Sequence, residues 1–350
     1  MELMKLRISD MIYGPGDTLI LSFEVLDGPR PTYLAGQFLT LVFNVRGREV
    51  RRSYSLCSAP NLNEPLSIAI KKIENGEISR LLHHKTAIGE VLYSMPPNGL
   101  FTYLTEKSVK RDVFLFAAGV GITPLFSIIK TALYEEEYSR IVLAYSNRSA
   151  TQALFYKELN DLQEQFPERF KVIFLFSQSQ DLRMARLNVS LIESIVSESL
   201  QFEKEDALFY TCGPIDYMVT CRIILLKLGF SINQIKRETF VLPEDEADDD
   251  DTTEKKIKDT NTYSVILNFK GTEHRLDIPY YKSILAVALE NKIDLPYSCR
   301  AGICSSCTAN CTSGHVRMDY NEVLTDQEVD SGRVLVCTGH PTENDTTIVW

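Results

Sequence analysis

Long apolar runs are missing from this chain of 350 residues. The run Ile223–Leu226, for example, stops at Lys227, whereas a helix that crosses a bilayer needs about 20 apolar residues. We therefore expect no membrane insertion. The first residues, Met1–Lys5, also lack the apolar segment of an export signal, which predicts a cytoplasmic location.

A basic excess and internal repeats are missing as well. The formal net charge is -10, so the chain has no surplus cations to neutralise phosphates, and we expect no nucleic-acid partner. The apolar fraction of 44% and the mean hydropathy of -0.09 indicate an ordinary globular protein. This length predicts two or three domains, each with its own core.

Eight cysteines are present, and four of them have an informative spacing. Cys299, Cys304 and Cys307 form a C-x4-C-x2-C pattern, and Cys337 follows downstream. This is the plant-type spacing of a [2Fe–2S] cluster, in which four thiolates hold two irons. The residues between the ligands are small, as a loop wrapped tightly round a cluster requires: Ala301, Gly302, Ser305 and Ser306.

Two other interpretations of these cysteines are open. A structural zinc site usually has two C-x2-C pairs, and this chain has one. A disulfide framework is typical of small secreted domains. Cys311 lies outside the spacing, on a predicted strand over Thr308–Thr312, and we expect it to be a small buried apolar side chain.

Residues 1–106 have the pattern of a small antiparallel β-barrel. Short apolar segments alternate with Gly and Pro, and one helix is predicted near Ile78–His84. The predicted strands are Leu19–Leu26, Gln37–Asn44, Arg51–Leu56, Leu66–Lys71 and Val91–Met95.

Residues 107–240 instead alternate buried strands with helices, which predicts a doubly wound α/β sheet. The continuous apolar strands are Val113–Ala117, Ile141–Tyr145, Val172–Phe176 and Leu208–Thr211. The helical segments are Pro124–Glu136, Ala150–Gln165, Val189–Ser199 and Pro214–Leu228.

Residues 241–261 break this pattern. The stretch from Glu244 to Glu254 is almost entirely acidic or polar, and charge repulsion favours an extended tether between domains. An acidic docking site for a basic partner is the alternative. Residues 262–350 then begin with a predicted hairpin (Tyr263–Phe269 and Arg275–Ile278) and a helix over Ser283–Asn291.

A candidate ligand site lies on the predicted barrel. On a strand, Arg52 and Tyr54 share one face, and Ser53 and Ser55 the other. Arginine offers a planar fork to a phosphate, and tyrosine a flat face to a ring. Gly76 and Ser79 open the predicted helix, and a helix N-terminus binds anions.

A plain N-cap is the alternative interpretation of Ser79. A solvated strand is the alternative for the residues around Arg52. Taken together, the strand and the helix N-terminus predict a ligand that carries both a diphosphate and a ring.

Two turns predict a nucleotide site in the second domain. Ala117–Pro124 runs from a strand into a helix, where Gly119 and Gly121 permit close approach of a pyrophosphate and Pro124 suits the first helical position. Cys212-Gly213-Pro214 follows the last strand in the same way. A tight connecting turn and a buried inert cysteine are the alternatives.

The barrel, these two turns and Glu238–Phe240 occur in the order seen in one family. From about Leu6 to Trp350 the chain resembles the ferredoxin–NADP reductase superfamily with a ferredoxin module fused behind it. The resemblance implies a barrel for the flavin, an α/β domain for the nucleotide and an α+β β-grasp ferredoxin domain. It also implies FAD, with FMN as the alternative.

The resemblance implies residue roles too. In the flavin domain, Arg52 binds the flavin phosphate, Tyr54 stacks on the ring, Ser55 lies near flavin N5, and Ser79 of the Gly76 turn meets the pyrophosphate. In the nucleotide domain, the implied residues are Gly119, Gly121, Thr123, Pro124, Cys212, Gly213 and Pro214, with Cys212 near the nicotinamide. Glu238 and Phe240 cover the flavin, and Ser55, Cys212 and Glu238 are the implied catalytic residues.

The nicotinamide preference is predicted from the second α/β strand, which ends without an acid at Tyr145–Arg148. An NAD site usually has Asp or Glu there. Arg148, Arg183 and Arg186 offer cations to a 2′-phosphate, which predicts NADPH. NADH remains the alternative, because arginines are common on any surface and Gln178 stands where many NADP-dependent relatives carry an arginine.

The resemblance then implies an NAD(P)H-dependent reductase that passes electrons through flavin and cluster to an oxygenase component. Within the superfamily, the chain is most similar to the reductase subunit of phenylacetyl-CoA epoxidase, on Tyr145–Arg148, Phe176–Asp181 and Pro296–Cys299. Reductases of ketosteroid hydroxylases and Rieske-type oxygenases share the domain order. The other readings are a reductase for a free carrier and a non-enzymatic redox sensor.

Overall fold

The computed structural model describes residues 3–240 and 260–350. The chain divides between Thr239 and Phe240 into two compact units. Most of the predicted acidic linker, 241–261, lies outside the described residues, and the boundary at 106/107 stays a prediction. None of the helices in the described ranges has the length and apolar composition that a membrane crossing requires.

The first unit begins with a six-stranded antiparallel sheet in the order β4-β3-β6-β1-β2-β5. A bridge between Leu56 and Ile68 joins its two edges, so the sheet closes into a barrel round a core that includes Leu21 and Leu39. The strands are β1 (Met4–Gly14), β2 (Thr18–Val25), β3 (Phe38–Val45), β4 (Arg48–Ser55), β5 (Leu66–Lys71) and β6 (Val91–Asn98), with helix α1 (Glu77–Lys85).

The sequence analysis missed strand β1. Among its eleven residues only Leu6 and Ile8 are buried, because one end of the strand runs along the surface. A strand with so few inward apolar residues has no clear two-residue alternation.

The same unit continues as a five-stranded parallel sheet in the order β11-β10-β7-β8-β9. Its central strand β7 (Asp112–Ala118) is almost completely buried, as a parallel strand covered on both faces should be. The other strands are β8 (Arg140–Asn147), β9 (Phe170–Phe176), β10 (Leu208–Cys212) and β11 (Ile235–Glu238). The helices are α2 (Ile122–Glu135), α3 (Tyr156–Gln165), α4 (Val189–Ser199) and α5 (Ile215–Lys227).

The strand order reverses between β7 and β10, which lie side by side although they are far apart in sequence. In an open α/β sheet, ligands bind at such a point, outside the carboxyl ends of the strands. The doubly wound sheet was predicted correctly, and this topology brings the two predicted glycine turns together.

Helix α3 begins at Tyr156, six residues later than predicted. Phe155 has a left-handed φ of 59°, and its ring stacks on Phe126 at 4.2 Å between centroids. This aromatic contact with α2 therefore sets the start of α3, and no local sequence signal marks it.

The second unit is a mixed sheet in the order β13-β12-β18-β14-β16 with a short pair β15-β17. The β12–β13 hairpin is antiparallel, whereas β12 and β18 are parallel. The strands are β12 (Thr262–Phe269), β13 (Thr272–Pro279), β14 (Thr308–Ser313), β15 (Val316–Met318), β16 (Arg333–Leu335), β17 (Gly339–Pro341) and β18 (Thr346–Val349). With helices α6 (Ile284–Glu290) and α7 (Asp326–Asp330), this is the predicted α+β β-grasp arrangement.

Candidate functional site

The turns that follow β7 and β10 are in direct backbone contact. A Cβ atom placed on Gly121 would lie 2.2 Å from the carbonyl oxygen of Cys212, and one on Gly213 would lie 2.9 Å from Cβ of Ala118. Neither position has space for a side chain. The sequence motif is thus explained by two turns packing against each other as well as by room for a ligand.

The first turn is held in shape by hydroxyl groups. Tyr145 Oη donates to the Gly119 carbonyl at 3.1 Å, and Thr123 Oγ1 donates to the Val120 carbonyl at 2.6 Å. Gly119 has a φ of 54° and nothing within 4 Å of its missing side chain. Space is therefore open above the turn, where a pyrophosphate would meet the N-terminus of α2.

The sequence predicted Pro124 at the first helical position, and this prediction is wrong, because α2 begins at Ile122. It is the third residue of the helix. This position is still within the first turn, where a missing N–H removes no helical hydrogen bond.

A cavity of about 960 Å³ opens beside these turns. Arg148 and Arg186 both line it, and both are exposed. Arg183 does not line it and instead pairs with Asp181, with 3.2 Å between Nε and Oδ1. Of the three arginines predicted for a 2′-phosphate, the structure brings two to the cavity.

Cys212 and Glu238 lie opposite each other on β10 and β11. Burial, and secondarily the Glu238 carboxylate, raise the pKa of the fully buried Cys212 thiol well above its usual value. Burial also raises the pKa of Glu238 to about 8. Both groups are therefore neutral near pH 7, and this part of the site carries a thiol and a carboxylic acid without charge.

The candidate flavin face lies on β4. Tyr54 is half-buried against the barrel core, which raises its pKa, and Arg52 is exposed with its Nη1 donating to the Arg51 carbonyl at 2.8 Å. The hydroxyl of Ser55 is buried and has no hydrogen-bond partner among the described residues. A buried hydroxyl without a partner fits a bound group that has polar edge atoms.

The start of α1 also fits a phosphate group. Gly76 is the N-cap residue, and a Cβ there would lie 2.4 Å from Oγ of Ser79. Ser79 is not the N-cap, so that alternative is wrong. Its hydroxyl oxygen accepts a hydrogen bond from the Ile73 N–H at 3.1 Å, and the hydroxyl proton can still be donated to a ligand.

Phe240 is exposed and is the last residue described before residue 260. Its neighbour Thr239 has a buried hydroxyl without a partner in the described part of the chain. The role of Phe240 as a cover for the flavin stays a prediction.

The four predicted ligand cysteines converge. Hydrogen bonds from Cys304 and Cys337 lower the pKa of Cys299 to about 2, and hydrogen bonds to Cys299 and Cys307 raise the pKa of Cys337. Backbone N–H groups also point at sulfur, because Ala301 N and Cys299 Sγ are 3.4 Å apart. The interactions link the four thiols in the order Cys304, Cys299, Cys337 and Cys307, and a set of four such thiols with N–H groups donated to sulfur fits a [2Fe–2S] cluster.

The cluster loop is kept small for steric reasons. Gly302 has a φ of 73°, and a Cβ there would lie 2.5 Å from the Tyr320 carbonyl oxygen. All eight cysteines are free thiols. In the described ranges, no group of three or more His, Cys, Asp or Glu side chains is arranged to hold a single metal ion.

Cys311 was predicted to be buried, and this prediction is wrong. It lies half-exposed on β14, with Sγ 3.4 Å from the Ser313 carbonyl oxygen. The register of β14 shifts between Cys311 and Ser313, which leaves this side chain near the edge of a bulge.

Sequence reasoning missed the barrel wall of the cavity. Residues of the β1–β2 turn and the end of β5 line it together with the nucleotide domain: Pro15, Gly16, Asp17, Thr18, Lys71 and Glu74. It also missed Tyr217, whose Oη donates to the Ala117 carbonyl at 3.0 Å. These residues share no motif, and only the packing of barrel against sheet brings them together.

Three family models match the chain in succession. They are an oxidoreductase FAD-binding domain over residues 7–103, an oxidoreductase NAD-binding domain over residues 115–222 and a 2Fe-2S iron-sulfur cluster binding domain over residues 267–342. The matched ranges include both candidate nucleotide turns and all of the predicted ligand cysteines. They show that the cofactors are FAD, a [2Fe–2S] cluster and NAD(P)H.

Known proteins match nearly the full length. The ferredoxin reductase component of 3-ketosteroid-9-alpha-monooxygenase from Rhodococcus rhodochrous is 32% identical over 341 residues, which cover 96% of this chain and 93% of that protein. The E subunit of 1,2-phenylacetyl-CoA epoxidase from Escherichia coli (strain K12) is 31% identical over 348 residues, which cover 95% of this chain and 93% of that protein.

A solved structure of phthalate dioxygenase reductase has the same fold, with a TM-score of 0.60 at 24% identity, over 99% of this chain and 97% of that one. The predicted fold class and cofactors are thereby confirmed. The chain belongs to the ferredoxin–NADP reductase superfamily, as an oxidoreductase whose FAD-binding and NAD-binding domains are followed by a [2Fe–2S] domain.

Proposed function

We propose that this protein is the reductase component of an oxygenase, taking electrons from NADPH and delivering them to a protein partner. The observation that carries the proposal is the full-length match to two components of oxygenase systems. It is supported by the four converging cysteines.

The nucleotide end of the site works by positioning. The contact between Gly121 and Cys212 brings the N-terminus of α2 and the start of α5 to one point. Backbone N–H groups there hold a pyrophosphate without any charged side chain. The neutral Cys212 thiol and Glu238 acid place no charge in the region proposed for the nicotinamide ring.

The flavin end is proposed to use Arg52, Tyr54, Ser55 and Ser79. Tyr54 supports one face of the ring from the barrel core, and the free hydroxyl of Ser55 donates to its polar edge. Bound FAD supplies the ability to accept an electron pair and to release electrons one at a time. The protein contributes orientation, since hydride transfer depends on the distance between donor and acceptor atoms.

The preference for NADPH is supported by Arg148 and Arg186, which line the same cavity. Neither guanidinium has a hydrogen-bond or ion-pair partner among the described residues. The hydrogen bond that Arg148 does make is through its backbone, since its carbonyl accepts from Gln178 N at 3.1 Å. Two unpaired cations beside a ribose site are suited to a 2′-phosphate.

Phenylacetyl-CoA epoxidase is the partner that we propose. Support comes from the 31% identity to its E subunit over almost the whole chain. A ketosteroid monooxygenase is the second candidate, because the ferredoxin reductase component of such a system is 32% identical. Reconstitution with each oxygenase distinguishes the two partners.

Anaerobic rapid mixing of the holoprotein with NADPH or NADH tests the chemistry. We expect flavin and cluster absorbance to bleach within the mixing experiment, and NADPH to saturate at a concentration at least about tenfold lower than NADH. Arg148→Ala with Arg186→Ala should remove most of that preference, whereas Arg183→Ala should not. Failure of both nucleotides to bleach the flavin would contradict a reductase and favour a redox sensor.

Reconstitution tests the partner. The reduced protein is mixed with purified epoxidase and, separately, with a ketosteroid oxygenase, and substrate-dependent NADPH consumption is measured. We expect turnover with the epoxidase. Turnover with the ketosteroid oxygenase alone would replace the proposed partner without affecting the reductase assignment.

A further inference from the structure

Helix α2 is fastened to the barrel by two hydrogen bonds one turn apart. Ser127 Oγ donates to the Ser58 carbonyl at 2.7 Å, and Lys130 Nζ donates to Glu64 Oε1 at 2.6 Å. The side chains of Lys130 and Glu64 are 10% and 31% exposed, so water screens this ion pair weakly. We call these four residues the α2 clamp.

The barrel side of the α2 clamp is a braced loop between β4 and β5. The Glu64 carboxylate also accepts from the Ala59 N–H, which closes the loop on itself. Arg30 donates to the Leu62 carbonyl at 3.0 Å and to the Ala59 carbonyl at 3.1 Å. Such a network of hydrogen bonds makes the loop rigid. A shift of α2 at one end of the loop should therefore move the residues at its other end.

Each side of the α2 clamp is close in sequence to a candidate site residue. Ser58 follows Ser55 of the flavin face by three positions, and Ser127 follows Thr123 of the nucleotide turn by four. Four helical residues span about 6 Å. The bond between Ser127 and Ser58 therefore links the two halves of the site by a short path through covalent backbone.

Apolar packing alone does not fix this geometry. At the far end of α2, Glu136 Oε2 accepts a hydrogen bond from Tyr103 Oη of the barrel domain at 2.7 Å. Nearer the nucleotide turn, and apart from the α2 clamp, α2 meets the barrel through apolar contacts such as Ile128 against Gly36, where the Ile128 Cδ1 atom would lie 3.4 Å from a Cβ on that glycine. Such contacts favour burial but are non-directional. Hydrogen bonds fix both distance and angle.

We propose that the α2 clamp sets the distance between the nicotinamide and flavin sites, so that Ser127, Lys130 and Glu64 are positioning residues for hydride transfer. This inference rests on the proposed function. A buried ion pair often adds little to stability, and we expect the clamp to act on geometry. A displacement of about 1 Å can slow a positioned reaction by about 100-fold.

The test uses full-length holoprotein with Lys130→Met, Ser127→Ala and the conservative Lys130→Arg. The matched control is Lys157→Met, which removes the exposed Lys157–Asp161 pair on α3. Three quantities are measured: the rate of flavin bleaching at saturating NADPH, the primary deuterium isotope effect with NADPH labelled at C4, and amide hydrogen exchange with and without flavin.

We expect Lys130→Met and Ser127→Ala to bleach about tenfold more slowly than the wild type. Their NADPH dissociation constants should stay within about twofold, their isotope effects should change, and residues 57–65 and 119–127 should exchange faster. Lys130→Arg should recover most of the rate, and Lys157→Met should match the wild type.

If Lys130→Met and Ser127→Ala bleach as fast as Lys157→Met, the proposed role of the α2 clamp is wrong. It is also wrong if they bleach slowly while amide hydrogen exchange in both segments is unchanged. Ser127→Ala removes one hydroxyl and guards against a Lys130→Met variant that fails to fold. If the wild type itself is not bleached by NADPH or NADH, the proposed function fails first, and that result is distinct from a clamp without effect.

Discussion

Two glycines and one neutral acid shape the nucleotide end of this site. Gly121 is required by the Cys212 carbonyl 2.2 Å from its absent Cβ, whereas Gly119 has open space around it. The same turn therefore uses one glycine for packing and the other for its left-handed φ and for ligand access. Glu238 adds a protonated acid whose state depends on burial.

Gly121→Ala should be more harmful than a glycine change at a position with open space around it. The added Cβ collides with backbone that cannot rotate away, so we expect a loss of at least ~2 kcal/mol in stability and at least about tenfold weaker NADPH binding. Gly47→Ala is the control, because Gly47 has a φ of 77° with nothing nearby. It should cost about 1 kcal/mol and leave NADPH binding unchanged, as measured by chemical unfolding and nucleotide titration.

Glu238→Gln should change how stability depends on pH. Since the pKa of Glu238 is raised from 4.5 to about 8, the folded protein keeps a proton that the unfolded chain has already released at neutral pH. The wild type should therefore lose stability as the pH rises from about 5 through 8, and the variant should lose less. Thermal unfolding at pH values of about 5.5, 7 and 8.5 measures this across the window, and parallel curves for both proteins would show that the acid is not perturbed.

The ligand positions and the close packing of the cluster loop depend on a short stretch of sequence. Between α6 and β14 the chain places three cysteines, and Cys337 returns beside them after β16. Small residues are needed because the loop packs under Tyr320 at Gly302. We expect loss of the cluster to leave the flavin barrel folded, because the barrel has a hydrophobic core of its own.

Cys304→Ser should abolish the visible absorbance of the cluster and leave flavin content unchanged. NADPH-dependent reduction of a two-electron quinone dye should continue at nearly the wild-type rate, because that path does not need the cluster. Cys311→Ser, on the neighbouring strand and outside the ligand set, is the control and should keep its cluster. Loss of dye reduction in Cys304→Ser would contradict this modular picture.

At the largest scale, the first unit contains the FAD-binding and NAD-binding domains, and the second contains the [2Fe–2S] domain. The acidic segment between them, which includes 244–254, lies outside the described residues. Its composition predicts a tether whose length sets how often the second unit meets each partner.

Deletion of residues 245–252 should slow cluster reduction and oxygenase turnover several-fold, because a short tether restricts encounters. Flavin bleaching by NADPH should be unchanged. A chain of full length with serine at the acidic positions serves as control and should behave like the wild type. If both variants slow equally, charge and not length is the relevant property.

Local sequence patterns were sufficient to predict the chemistry of this protein. The C-x4-C-x2-C spacing, the buried β7 run and the two glycine turns are local patterns, since ligand spacing and close backbone approach depend on neighbouring residues. Most strands and helices could be predicted as well, because their apolar patterns also depend on neighbouring residues. Strand β1 and the start of α3 did not, because surface exposure and the Phe126–Phe155 stack decide them.

Which distant residues share a site depends on how the folded chain packs. Register places Glu238 beside Cys212, and barrel packing brings Lys71 to the cavity of Arg148. Burial of a carboxyl and the length of a hydrogen bond such as Lys130 to Glu64 are properties of the packed chain. They depend on pairs far apart in sequence, and no local pattern of residues encodes such a pair.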